Sequence, residues 1–210
     1  MFTATDDARF WNRAARGYAA KAIGNPDAYA RKLTATRRFL SPDSKVLELG
    51  CGTGSTAIQH APHVAQILAT DFSEEMVRIA RSKARADGVQ NIEFACCSAR
   101  EALDLPFEAD AVLALNLLHL LPDWQAIIQQ AYQRLKPGGL FVSSTLCMTD
   151  VAPWLRWLLP LGRKLRLLPQ ISFFSQAELH RAMSEVGFET ELAFSAGPRN
   201  GQFMIGRKPC

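Results

Sequence analysis

Nine residues, Val46-Leu47-Glu48-Leu49-Gly50-Cys51-Gly52-Thr53-Gly54, carry the strongest chemical signal in the chain. An apolar run stops at Gly50, and glycine recurs at alternate positions through Gly54. Glycine has no Cβ and tolerates positive φ, so a ligand can lie directly against the main chain. A helix expected from Gly54 to about His60 would turn its first unpaired amides toward the same place. The second signal is Ala69-Thr70-Asp71-Phe72-Ser73, with Asp71 placed 21 residues after Gly50. At the carboxyl end of a second strand in a doubly wound sheet, such a carboxylate reaches the hydroxyls of a ribose. Phe72 beside it offers a face to a purine. A glycine-rich corner alone is an ordinary strand–helix turn, and an Asp alone is an ordinary helix-entry residue. Both in the right order point to an adenosine-containing ligand at the switch point of the sheet. In the dinucleotide fingerprint GxGxxG the third glycine would stand where Ser55 is, one residue after Gly54, which favours a ligand without pyrophosphate.

Those residues need strands and helices in alternation to position them. Helices are expected over 6–20 and 26–40, then a strand over 45–49 that ends at Gly50. A strand over 66–70 and a helix over 73–87 follow, with Ser73 as N-cap, Glu74 and Glu75 in the first turn and Gly88 as the stop. A third strand is expected over 91–95. A fourth, over 109–115, is nearly all apolar, as for a strand buried on both faces. A helix over 123–135, a Pro137-Gly138-Gly139 turn and a strand over 140–146 come next. After a helix over 175–186, two strands over 187–194 and 202–207 lie too close in sequence for a parallel return and are expected to pair antiparallel. The fold class is α/β: a doubly wound, mostly parallel seven-stranded sheet with an antiparallel last strand and an N-terminal helical cap. Residues 1–210 are expected to form one domain, with the cap over 1–42 and a lid or insertion over 150–170.

Bulk properties fit that frame. Of 210 residues, 48% are hydrophobic and 21% charged, the composition of an ordinary globular chain. A net charge of +4 is too small to argue for nucleic acid. The five cysteines are odd in number and form no CxxC pair, so reduced thiols in a cytoplasmic protein are expected, with no metal site. Asp6 and Asp7 and the lack of an apolar run at the N-terminus argue against a secretory signal. The most apolar stretch, 151–162, contains Arg156, Pro153 and Pro160 and falls short of the roughly 20 residues of a bilayer span. Segment 151–169 adds Trp154 and Trp157 to Arg163, Lys164 and Arg166. That composition suits a packed lid, the lining of an acceptor pocket, or contact with a membrane surface.

The chain resembles the class I S-adenosylmethionine-dependent methyltransferases, most nearly the small bacterial members of the ubiquinone/menaquinone-biosynthesis group. The resemblance runs from about Phe10 to Lys208 and rests on VLELGCGTG (46–54), ATDFS (69–73), DAVLALNLLHLL (110–121) and RLKPGGLFVSST (134–145), with SQAELHRAMSEVGFE (175–189) also fitting. It implies transfer of a methyl group from S-adenosylmethionine to a small, hydrophobic acceptor. It implies that Gly50, Cys51, Gly52 and Gly54 cradle the methionine part of the cofactor with Glu48 supporting the loop. Asp71 would bind the ribose hydroxyls, Phe72 would flank adenine, and Asn116 would offer its backbone near the sulfonium. Relatives often carry an Asp for the adenine amino group where this chain reads Ala95-Cys96-Cys97-Ser98-Ala99, which leaves Ser98 and Ala99 as the expected contacts. Trp11 and Tyr18 of the first helix would cover the cofactor.

An activated sulfonium needs a general base only if the acceptor must lose a proton during attack. His119, three residues past Asn116, is the candidate; its plain alternative is a partly buried histidine with a backbone partner. His60 and His63 are expected at the surface, and His180 in solvent. Two other readings stay open: a nicotinamide-dependent oxidoreductase, and a protein that binds the cofactor without catalysis. Methylation of nucleic-acid bases ranks lower, because the position after the fourth strand reads Asn116-Leu117-Leu118-His119 and lacks a polar-Pro-Pro-aromatic motif.

Overall fold

The computed structural model describes residues 4–154, 169–195 and 201–210. Its elements are α1 (Ala4–Ala20), α2 (Pro26–Arg37), β1 (Lys45–Leu49), α3 (Ser55–His60), β2 (Gln66–Asp71), α4 (Glu74–Ala86), β3 (Ile92–Cys96), α5 (Ala99–Asp104), β4 (Ala111–Leu115), α6 (Trp124–Arg134), β5 (Leu140–Thr145), α7 (Met148–Val151), α8 (Gln176–Glu185), β6 (Glu189–Ser195) and β7 (Gln202–Arg207). The strands form a seven-stranded sheet in the order β3-β2-β1-β4-β5-β7-β6. The pairings from β3 across to β5 are parallel, and β7 runs antiparallel to both β5 and β6. The expected sheet is therefore the observed one.

Alternation along each central strand makes two cores, because successive side chains leave opposite faces of a sheet. Leu47, Leu49, Val112, Ala114 and Phe141 pack with residues of α5, α6 and α8 on one face. Val46, Ile67, Ala69, Leu113 and Val142 pack with α3 and α4 on the other. The chain direction splits at β1, which pairs with β2 on one side and β4 on the other. The crevice left there, beyond the carboxyl ends of the strands, is the place where open α/β sheets bind ligands.

Helix α1 closes one side of that crevice. Asn12 Oδ1 accepts from Ser73 Oγ at 2.6 Å and from Glu75 N at 3.2 Å, and Arg16 pairs with Glu75 at 3.3 Å, so α1 sits on the first turn of α4. Ser73 is the N-cap of α4, its hydroxyl accepting from Met76 N. Helix α2 carries the same device, with Asn25 Oδ1 accepting from Ala28 N and Pro26 in its first turn.

Sequence and structure differ at short elements. Helix α2 ends at Arg37, three residues before the expected limit. Helix α5 was not expected: it is six residues long, too short for a periodic signal, and is fixed by a capping box between Ser98 and Glu101. Helix α7 is one turn. Residues 155–168, most of the expected lid, lie outside the described residues. No helix of the described residues is long and apolar enough to cross a membrane.

Candidate functional site

The glycine loop joins β1 to α3. Gly50, Gly52 and Gly54 all have positive φ, at 64°, 54° and 74°. Two of them answer to different demands. A Cβ at Gly54 would lie 2.8 Å from Ala80 Cβ, so this glycine lets α3 start against α4. A Cβ at Gly52 would meet only Tyr18 Cε1, at 3.9 Å. The space over Gly52 is therefore open, and it belongs to a cavity of about 590 Å³.

Asp71 fixes the loop. Its Oδ2 accepts from Gly52 N and its Oδ1 from Ser73 N, each at 2.9 Å. Burial raises its pKa, and these two amide hydrogen bonds work against the rise. Asp71, Phe72, Gly50, Gly52, Ser98 and Ala99 all line the large cavity, as do Trp11 and Tyr18 from α1. The Trp11 and Tyr18 rings stand edge to face, 6.3 Å apart, in its wall. Eight of the expected cofactor contacts thus meet at one place.

The remaining four do not line that cavity. Gly54 is packed as described, and Cys51 is buried beside the loop. Glu48 lies under the loop in β1, 3% exposed, and its Oε2 has no hydrogen-bond partner among the described residues. Burial, with the nearby Asp71 charge, pushes the Glu48 carboxyl up to about 8. Asn116 follows β4 with φ at 55°, the one non-glycine positive φ among the described residues. Its amide donates to Ser144 O at 2.6 Å. It lines a second cavity, of about 270 Å³, on the α2 side of the sheet end.

Ser98 does line the large cavity, but its hydroxyl donates to Glu101 Oε2 at 2.7 Å and closes the α5 capping box. His119 lines neither cavity. It is buried, with Nδ1 3.0 Å from Thr145 Oγ1, and burial lowers its pKa to about 4. Its partner is a side chain, where the plain alternative to a catalytic role had a backbone group. His60 corrects an expectation outright. It is 0% exposed, because Ala57 and His60, three residues apart, form the buried face of α3. His63 is exposed as expected, while His180 is half-buried with Nε2 3.4 Å from Gln202 Nε2.

Several lining residues carried no site assignment in the sequence. Leu117, Leu120, Leu121 and Ile127 form the apolar wall of the large cavity, and Arg100 and Asp123 form an ion pair at its edge. They come from the turn after β4 and from α5 and α6, and they share no spacing a sequence pattern could reveal. Leu117 also fills the space a Cβ at Gly50 would occupy, with its Cδ1 2.7 Å from that position.

Residues 46–139 match the family model of a methyltransferase domain. A ubiquinone biosynthesis O-methyltransferase of Xanthomonas campestris pv. campestris is 35% identical over 116 residues, covering 55% of this chain and 48% of that protein. Another protein of that name, from Thiobacillus denitrificans, is 31% identical over 153 residues, covering 70% of this chain and 65% of its own length. The chain spans about half the length of most of these curated relatives. Among solved structures, the DhpI–SAH complex has a TM-score of 0.72 at 21% identity, covering 98% of this chain and 96% of that one. The YcgJ protein of Bacillus subtilis has a TM-score of 0.67 at 18% identity, covering 86% of this chain and 99% of that one. The matched domain segment, the two relatives and the sheet order agree, and the chain is similar to the class I S-adenosylmethionine-dependent methyltransferases.

Proposed function

We propose that this protein transfers the methyl group of S-adenosylmethionine to an oxygen of a small, largely hydrophobic acceptor. The observation that carries the proposal is the Glu48 carboxyl, whose buried Oε2 has no partner among the described residues, beneath a glycine loop that Asp71 braces. A buried carboxyl oxygen without a partner is costly, and an ammonium group is the partner that would relieve it. The methionine end of the cofactor carries such a group. The open space over Gly52 leaves room for a ligand against the main chain. The residues present therefore fit the cofactor.

The bound cofactor supplies a methyl group already activated on a sulfonium. The protein's own work is then to bind, orient and exclude water. Asp71, already in the cavity wall, would accept from the ribose hydroxyls while keeping the loop in place. Phe72 and the leucine wall would enclose adenine, with Ala99 and the backbone around Ser98 at its edge. Trp11 and Tyr18 would cover the opening, and Asn116 would mark the boundary with the acceptor. His119 has no assigned part in proton transfer. Its Nδ1 is engaged by Thr145, and it lies outside the lining of both cavities. The oxygen acceptor is inferred from the matched relatives, which are named O-methyltransferases. A cytoplasmic location and a small-molecule acceptor, in preference to nucleic acid, complete the reading, and five free cysteines suit a reducing compartment.

Calorimetric titration with S-adenosylmethionine, S-adenosylhomocysteine and NAD tests it. Both sulfur ligands are expected to bind and NAD is not. Asp71→Asn, which keeps one carbonyl acceptor for the loop, is expected to weaken the sulfur ligands at least tenfold without unfolding the chain. Preference for NAD, or no binding of either sulfur ligand, overturns the reading.

A further inference from the structure

One acceptor in the wall of the large cavity is unengaged. Gln170, the last residue of the expected lid, lines that cavity, and its Oε1 is buried without a hydrogen-bond partner among the described residues. No other buried side-chain oxygen or nitrogen of that lining lacks a partner among the described residues. The Gln170 amide donates to Asp7 Oδ1 of α1 at 3.2 Å. Two residues on, Ser172 N donates to His119 O at 2.7 Å and Ser172 Oγ to Leu121 O at 2.6 Å. The segment is thus stitched to α1 on one side and to the turn after β4 on the other. Helix α1 gives Gln170 its place along the cavity. Tyr18 lies over Gly52, and Asn12 holds Ser73, two residues past Asp71. Asp7 is eleven residues before Tyr18, about 16 Å along the axis of a regular helix. Glycine loop, Asp71 and Gln170 therefore follow one another in that order along α1.

We propose that the Gln170 carboxamide reads the adenine of the cofactor, its Oε1 accepting from the exocyclic amine while its Nε2 donates to the neighbouring ring nitrogen. The inference rests on the methyltransferase reading and adds to it the residue that tells adenine from another base. Methionine, ribose and base follow one another in S-adenosylmethionine, so a loop at one end and Asp71 in the middle leave the base to Gln170. Adenine offers a donor and an acceptor side by side, and a carboxamide offers the complementary pair. Other polar groups in the wall are committed. Ser98 donates to Glu101, Asp123 is paired with Arg100, and Asp71 braces the glycine loop. A buried carbonyl without a partner is costly, and the base relieves that cost only if it carries the amine. The base is then read from the covering segment and not from the sheet.

The test is calorimetric binding of two probes, S-adenosylhomocysteine and its 6-deamino analogue, in which purine replaces adenine. The native chain is expected to prefer the first roughly tenfold, the worth of one well-made hydrogen bond to a buried acceptor. Gln170→Met keeps the length of the side chain and removes the acceptor, and its preference is expected to fall below about threefold. Gln170→Glu keeps an acceptor and is expected to retain most of the preference. The ratio of the two affinities is the readout, because a loss of packing weakens both probes alike and leaves the ratio unchanged. Gln170→Leu, with a different shape and the same lost acceptor, is expected to match Gln170→Met, so the result does not hang on one variant folding. Equal binding of the two probes by the native chain, or an unchanged preference in Gln170→Met and Gln170→Leu, overturns the proposal while the cofactor reading stands. Failure of S-adenosylhomocysteine to bind the native chain overturns both.

Discussion

Glu48 links the stability of this protein to pH in a direction opposite to that of most carboxylates. Its carboxyl rises from the usual 4.5 to about 8 on folding. Between those values the folded chain keeps a proton that the unfolded chain has released, so this group's contribution to stability falls as pH rises through the window. Asp71, also raised, acts in the same sense. His60 and His119, both lowered to about 4, act in the opposite sense and cost stability as pH falls from about 6.5 toward 4. Glu48→Gln removes only the first effect. The thermal midpoint of this variant relative to the native chain is therefore expected to climb steadily from pH 5 to pH 8 in scans without ligand; a constant difference would show that Glu48 does not titrate in this window. Ligand binding should draw on the same proton. On the proposed reading, an ammonium bound at the loop would ionise Glu48 at pH 7, so titrations of S-adenosylhomocysteine in buffers of different ionisation enthalpy should report proton release, and Glu48→Gln should report less.

Among the elements, the tight places are the loop before α3 and the first turn of α5. Alanine at Gly52 or Gly54 must adopt positive φ, which costs roughly 1–2 kcal/mol for a residue with a Cβ. At Gly54 a clash with Ala80 is added, while at Gly52 the new methyl faces open space. Gly54→Ala should therefore lower stability to denaturant well beyond Gly52→Ala, while Gly52→Ala should lose more ligand affinity per unit of stability lost. Ser98→Ala breaks the α5 capping box and should cost about 1 kcal/mol of stability, with ligand affinity changed by less than the tenfold expected at Asp71. A larger affinity loss would restore the adenine contact that the sequence suggested for Ser98. These cases mark what the sequence discloses. The run 46–54 and the Ala69–Ser73 segment were legible because strand, turn and ligand contact lie within a few consecutive residues. The capping box Ser98-x-x-Glu101 was equally present, but six residues of helix leave no periodicity to draw attention to it. His60 was misjudged for a related reason: on α3, position near a helix end says little, and the i, i+3 relation to Ala57 decides burial. The Lys32–Ser144 pairing bridges 112 residues, and only the closed sheet brings the two together.

At the level of the whole molecule, the site is a junction between a rigid sheet and a lighter cover. The sheet end supplies Asp71 and the glycine loop; α1 supplies Trp11 and Tyr18 and is held on α4 by Asn12 and the exposed Arg16–Glu75 pair. Exposed ion pairs of this kind contribute little, so α1 should open more readily than the strands. Hydrogen exchange of amides in 7–20 should slow on adding S-adenosylhomocysteine, while amides of β1 and β4 should change little. Saturation at a hundred times Kd should stabilise the fold by about 2.7 kcal/mol if the unfolded chain does not bind. Equal protection in α1 and the central strands would argue against a cover that closes on its ligand.

The two cavities share no lining side chain, and consecutive residues after β4, Asn116 and Leu117, line one each. Their walls are therefore free to diverge at separate rates. Substitutions along α2 and α3 can reshape the smaller cavity while the glycine loop and Asp71 stay as they are, so a lineage can vary one wall and keep the other through every intermediate. The same partition gives a practical graft line: exchanging residues 26–37 between related chains should change the α2 wall of the smaller cavity as one block, leaving the glycine loop and Asp71 as a common chassis.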